Sequence, residues 1–420
     1  MTRKFLPSLL CSAALCAAAL PALSETSIRI VSGQEKQNGA VIRDILTAYD
    51  AADAEVAVTL DMDNKSDVET TQQVLADIIS GSAPDAVRVT GSVLATYINS
   101  GRAQPLDACL DAQPELLAQL DTGLLDNFRG ADGKLYAMPF YTTLPALYIN
   151  KQAFRDAGLD PETPPATWSE LRAAAATLSD ADKGKYGVLF YMPNTYLFEA
   201  QMESAGGAWT DASGALSADN PGTVDTFAFL RGLVEDGSMP AIAPSAFWSE
   251  FAALFRSGDL GMMLFSASTY PGLIGGLEFE TTIAPMPIKG SGSMVANASA
   301  NGFVMLATDP AKQEATCKAL SSFLTPEAVT QVVKTTATVP HNVTATAAPD
   351  LLGTYFAENP AFVTVNAQPS GSWFALPGRA NTEFQTEFSD LQFRVLSGDL
   401  SPEEGAAQLQ DVTADLLLEN

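Results

Sequence analysis

The sequence predicts an α/β protein built as two lobes, on three observations. Near the start of the chain, short β-rich runs alternate with apolar residues at helical spacing. At 420 residues the chain exceeds the ~250–300 at which a single core stops growing. Apolar residues make up 47 % of it, and beyond the N-terminus no apolar run is long enough to span a bilayer. Strands separated by helices in this rhythm imply a parallel sheet covered on both faces, with ligands at the carboxyl ends of its strands.

The first segment reads as an address. Arg3 and Lys4 precede the apolar stretch from Phe5 to Ala22, and Ala22-Leu23-Ser24 supplies small residues before Glu25. That is the pattern of a secretory signal peptide over residues 1–24. Leu10 and Leu15 stand before Cys11 and Cys16, where a lipoprotein signal requires a small residue, so the expected product is a released periplasmic protein.

Strand and helix then alternate. Ile28 to Val31 is a β-rich run ending at Ser32-Gly33, and Val41, Ile42, Ile45, Leu46 and Tyr49 follow helical spacing. Val56, Val58 and Leu60 alternate as a strand, and Val74, Leu75, Ile78 and Ile79 form the next helical stripe. The run from Gly81 to Asp85 breaks that helix before a strand at Ala86 to Val89, and a further helix starts near Ser92.

The middle of the chain is more helical. Thr167-Trp168-Ser169-Glu170 fits a capping box for an Ala-rich helix reaching about Leu178. Asn220-Pro221 opens another, with Val224, Phe227, Leu230 and Leu233 on one face and Gly237 as its stop. Phe247, Trp248, Phe251, Leu254 and Phe255 form an aromatic stripe ended by Gly258, in which Trp248 is either core or a ligand contact. Leu260 to Phe265 and Asn301 to Ala307 read as strands. Asp309-Pro310 opens the helix carrying Cys317, and Ser401-Pro402-Glu403-Glu404 opens the last helix.

A net charge of −26 argues against nucleic acid and anionic membrane surfaces as partners. Past the signal only Cys109 and Cys317 remain, either as one disulfide of an oxidising compartment or as two buried thiols. Without a C-x-x-C pair, no metal and no redox cofactor is expected, and Asp61-Met62-Asp63-Asn64 lacks the full calcium-loop pattern. The chain has one histidine, His341, and lacks G-x-S-x-G, H-E-x-x-H and the P-loop pattern, so triad and metalloprotease chemistry are disfavoured. A secreted carbohydrate-active hydrolase or lyase using a carboxylate pair stays open as the alternative, because such a pair has no sequence signature.

One run carries more. Phe140-Tyr141-Thr142-Thr143-Leu144-Pro145-Ala146-Leu147-Tyr148-Ile149-Asn150-Lys151 continues through Ala153-Phe154 and Ala157-Gly158-Leu159-Asp160 to Pro164-Pro165-Ala166-Thr167-Trp168. It resembles the extracellular solute-binding proteins (family 1) of carbohydrate ABC importers, and within them the glycerol-3-phosphate-binding branch. Shorter matches at Gly206-Gly207-Ala208-Trp209, Phe255 to Met262, Thr338-Val339-Pro340 and Tyr355 to Pro360 spread the likeness over the chain.

The resemblance implies a two-lobed periplasmic-binding-protein fold, type II-like, with a multi-segment hinge. Lobe one would hold residues 25–140 plus 298–340, and lobe two residues 141–297 plus 341–420. Cys109 and Cys317 would then share a lobe, which favours the disulfide. The implied function is capture of a sugar, polyol or glycerol-3-phosphate-type solute for inner-membrane ABC permease subunits, with no catalysis.

The same likeness names site residues. Thr143 matches a position whose hydroxyl contacts ligand, with capping of its own turn as the alternative. Trp168 matches an aromatic position near the cleft, with simple packing at its helix start as the equal alternative. Ser266 and Ser268 follow a strand at its carboxyl end, with Tyr270 as the nearest aromatic partner. Asn301-Gly302 stands where the family has a Gly-rich turn, and Arg379 lies within one register of an arginine that meets the ligand's anion. Arg379 and Arg88 are the candidates for a phosphate. The chain departs from the glycerol-phosphate pattern at Val89-Thr90-Gly91, where a ligand-facing acid is missing, and at Asp67 and Thr338, where tyrosines are.

Overall fold

The computed structural model describes residues 25–290, 296–376 and 380–418; the signal peptide and Arg379 lie outside the described residues. In the first lobe, β1 (Thr26–Ser32) pairs in parallel with β2 (Val56–Met62) and β3 (Ala86–Thr90). Ile28 and Ile30 alternate inward and are fully buried. The helix Glu35–Ala52 covers them with Val41, Ile42, Ile45 and Leu46, the stripe expected from spacing. Ser66 and Glu69 form a reciprocal capping box on the helix Asp67–Ser80, and Gly81 ends it at φ 79°.

The chain then crosses. β4 (Ala137–Thr143) belongs to the first sheet, and a single residue, Leu144, separates it from β5 (Pro145–Asn150) of the second. β6 (Tyr186–Phe190) lies parallel to β7 (Leu260–Ser266), while β5 runs antiparallel to both β7 and β8 (Thr281–Pro285). β9 (Ala296–Met305) returns to the first sheet, antiparallel to β3 and β4, and the short β10 (Ser370–Ser372) flanks its start. The first sheet is therefore mixed, where the rhythm of the sequence alone predicts a parallel one. β9 enters from the opposite lobe rather than from a crossover helix, and this reverses its direction.

Each sheet carries its own core. One takes buried residues from Ile28 to Tyr141 and from Ala300 to Val332. The other runs from Leu144 to Ala298 and from Ala337 to Leu416. Helix starts at Thr167, Asn220 and Asp309 are capped by those side chains, as the sequence predicts. Cys109 and Cys317 form a disulfide with Cα atoms 5.8 Å apart, joining the helices Asp107–Asp111 and Pro310–Ser321 inside the first lobe.

A third crossing follows the helix Pro326–Thr336. Ala337 adopts φ 50°, unusual for a residue with a side chain, and the Val339 amide donates to the Thr142 carbonyl at 2.8 Å. His341 is buried beside this crossing, edge-on to Phe128, with its Nε2 2.9 Å from the Thr142 hydroxyl. Burial pushes its pKa down to about 4, so the ring is neutral at pH 7.

Candidate ligand-binding groove

A groove of about 490 Å³ opens where the two sheets meet, and the carboxyl ends of β3, β4 and β7 all point residues into it. A larger hollow of about 700 Å³ lies elsewhere, around Lys151, Tyr270 and Tyr355, but it does not collect strand ends from both sheets. The groove fits the rule for α/β ligand sites; the hollow does not.

Where the two sheets join, the groove begins with three short hydroxyls. Thr143 Oγ1 and Ser266 Oγ lie 2.9 Å apart, Ser266 Oγ and Ser268 Oγ another 2.9 Å, and the Ser268 amide donates to Thr143 Oγ1 at 3.0 Å. These residues meet because β5 and β7 pair Pro145 with Ser266, so the β4 end abuts the β7 end. Beyond them stand four aromatic rings. Tyr191 lies 5.4 Å from Trp248 and 4.8 Å from Phe265 between centroids, and Phe251 packs 5.4 Å from Phe265. Phe251 is core, but Trp248 is 54 % exposed, and a half-open indole beside a groove is a surface that packing alone does not require.

The first-lobe side is polar. Gln34, Thr90, Tyr141 and Asn301 line it, with Gln34 at the carboxyl end of β1 and Asn301 paired with Thr90 across β9 and β3. Arg88 sits behind them, 1 % exposed, and does not reach the groove. Its guanidinium donates to Asn301 Oδ1 and Gln34 Oε1, each at 2.8 Å, and lies 3.2 Å from Asp67 Oδ1. As a direct phosphate contact Arg88 is thus ruled out, because it is buried and lines no part of the groove. Burial holds the Tyr141 and Tyr196 phenols above their ordinary value, so both stay neutral. Among the described residues lining the groove there is no charged side chain.

The structure brings Thr143, Ser266, Ser268, Trp248 and Asn301 to this groove. Three other expected contacts lie elsewhere. Trp168 stacks on Phe229 at 4.3 Å and its indole N–H donates to Gln201, so it is a core ring at its helix start. Tyr270 follows the turn Ala267–Thr269, which swings it to the larger hollow, where its hydroxyl donates to the Thr281 carbonyl at 2.7 Å. Gly302 is pressed into the sheet: a Cβ there would lie 2.7 Å from the Met138 carbonyl oxygen. Its lack of a side chain serves strand packing. Arg379 lies outside the described residues.

Gln34, Tyr141, Tyr191 and Trp373 also line the groove, though the sequence did not single them out. The strand-end rule would have found Gln34, two residues past β1. Trp373 follows a Gly/Ser loop with no periodic signal; its indole N–H donates to Thr195 Oγ1 at 2.9 Å and its ring packs 5.4 Å from Tyr196.

Residues 46–364 match the family described as bacterial extracellular solute-binding protein. The chain belongs to that family. This solute-binding protein is 23 % identical over 335 residues to a binding protein of Brucella abortus, covering 75 % of this chain and 76 % of the relative. It is 37 % identical over 112 residues, 26 % of this chain and 25 % of the other, to the sn-glycerol-3-phosphate-binding periplasmic protein UgpB of Yersinia pestis. Its fold is that of the UgpB crystal structure from Mycobacterium tuberculosis in complex with glycerophosphocholine, with a TM-score of 0.81 at 19 % identity, over 94 % of this chain and 99 % of that one. Among its described residues no helix is long and apolar enough to cross a membrane, and no group of three or more His, Cys, Asp or Glu could hold a metal.

Proposed function

We propose that this solute-binding protein works in the periplasm as the capture subunit of an ABC importer. Residues 25–140 with 298–340 and residues 141–297 with 341–420 act as two lobes that close on a sugar, polyol or glycerophosphate-type solute. The loaded protein then docks on the inner-membrane permease subunits, and no bond of the solute is made or broken. The carrying observation is the Thr143–Ser266–Ser268 hydroxyl chain beside the half-exposed Trp248. Hydroxyls satisfy the polar groups of a solute once water is expelled, and an indole face covers its apolar side. The names of the Yersinia and Mycobacterium relatives support a glycerophosphate-type solute, for which Arg379 is the proposed anion contact.

Isothermal titration with maltose, ribitol, sn-glycerol-3-phosphate and glycerophosphocholine tests the reading. One-to-one saturation by one of them is expected, with a stability gain of roughly 2.7 kcal/mol at a hundredfold excess over Kd, seen as a raised Tm. Thr143→Ala combined with Ser266→Ala should weaken that binding at least tenfold while the protein stays folded. Consumption of the solute by purified protein would instead favour the carboxylate-pair hydrolase.

A further inference from the structure

We infer that Asn381 is the latch of the clamp: beside the groove it ties lobe two to lobe one and holds them closed. This rests on the proposed solute-capture role and adds a positioning residue that the groove lining itself does not include.

The bond joins two helices that belong to different cores. The helix Gly91–Asn99 packs on the first core through Val93, Leu94 and Tyr97. The helix Ala380–Leu396 packs on the second through Ala380, Phe384 and Phe388. Asn381 is buried in the first turn of that second helix, and its Nδ2 donates to the Ser92 carbonyl at 3.0 Å. Its Oδ1 accepts from the Leu376 amide of its own lobe at 3.2 Å. A carbonyl only accepts and a backbone N–H only donates, so the carboxamide has one orientation.

Both ends of this chain of bonds reach the groove. Ser92 Oγ lies 2.9 Å from Thr90 Oγ1, and Thr90 lines the first-lobe wall. Leu376 ends the strip that carries Trp373, which lines the groove from lobe two. Between them the Phe374 amide donates to the buried Glu199 carboxylate at 2.9 Å, which fixes the strip to its lobe. A solute held between Thr90 and Trp373 therefore brings together the two segments that Asn381 links.

The contact is narrow enough to open. Hollows flank the helix Gly91–Asn99 on both sides, one of about 300 Å³ toward Thr382 and Thr386, the other of about 320 Å³ toward Trp373 and Ala375. With space on either flank, parting the lobes here breaks a hydrogen bond rather than a close-packed apolar seam, and the parted groups find water. A latch has to release.

Two substitutions test it. Asn381→Asp keeps the oxygen that Leu376 needs and turns a second oxygen on the Ser92 carbonyl; Asn381→Ala removes the donor alone. Apparent affinity falls with the fraction of clamp that can close. Whichever of maltose, ribitol, sn-glycerol-3-phosphate and glycerophosphocholine binds should leave about fivefold faster from Asn381→Ala, and faster still from Asn381→Asp, with the association rate unchanged. Small-angle scattering of the solute-free variants should give a larger radius of gyration than wild type. Thr386→Ala, whose hydroxyl is bonded inside its own helix, should change neither readout. If Asn381→Asp does not fold, Asn381→Ala decides. Dissociation rates within twofold of wild type and an unchanged radius of gyration would overturn the latch and leave the capture role intact. A wild type that takes up none of the four solutes overturns the capture role, and the radius of gyration then decides the latch by itself.

Discussion

The two lobes solve one problem in opposite ways. Lobe two builds its side of the groove from rings and short hydroxyls that pack on a continuous apolar core. Lobe one builds its side from amides clamped by a buried ion pair, and ties its two chain segments with a disulfide. The difference follows from connectivity. Lobe one is assembled from pieces 208 residues apart at Cys109 and Cys317, with the larger segment of lobe two threaded between them. A staple across so long a loop removes much of the freedom of the unfolded chain, and the segment that interrupts lobe two is far shorter.

The largest expected effect breaks that staple. Replacing Cys109 and Cys317 together with serine should destabilise lobe one by about 2–5 kcal/mol, the usual loss for a native disulfide. Urea unfolding followed in parallel by circular dichroism and tryptophan fluorescence should separate the lobes, since Trp168, Trp209, Trp248 and Trp373 all fall outside the first-lobe segments. An early, fluorescence-silent transition seen by circular dichroism would mark lobe one melting first; a single coincident transition would show the lobes unfold together despite their different construction.

The next effect sits between the lobes. His341 has a folded pKa of about 4 against 6.5 for the free side chain, so the unfolded state binds the extra proton first. Stability is fully present above pH 6.5 and falls as pH drops toward 4, by on the order of 3 kcal/mol in total. His341→Gln should remove that slope, measured as the difference in urea midpoint between variant and wild type from pH 7 to pH 4.5. An unchanged difference across that range would place the ring in water rather than in the crossing.

The smallest effect sharpens the contrast at the groove itself. Trp248→Ala should cost about 1.4 kcal/mol of binding, one factor of ten in Kd by titration, with little change in Tm because the indole is already half exposed. A loss of stability larger than the loss of affinity would show that Trp248 holds the lobe-two wall up rather than covering the solute.

Much of this was legible in the residues. Caps at Thr167, Asn220 and Asp309 and the stripe Val41, Ile42, Ile45 and Leu46 are local signals, and local physics realised them. Thr143 and Ser266 were legible through the family likeness, and the β5–β7 register brings their hydroxyls together. Trp168 stays open between core and cleft in the sequence, because an aromatic at a helix start looks the same whether it faces Phe229 or a cleft. Arg88 was misread for a related reason: an arginine on a strand announces a charge, but not which side of the sheet receives it.

By itself the sequence determined the alternation of strands and helices, the helix boundaries and the family, because these depend on spacing, capping and short runs of residues. Only the tertiary structure decided the direction of β9, the pairing of Cys109 with Cys317, and the turning of Gln34 and Asn301 toward Arg88. Those features join residues some 50 to 210 positions apart. Contacts at such separations form only when the whole chain has closed, so no local pattern records them.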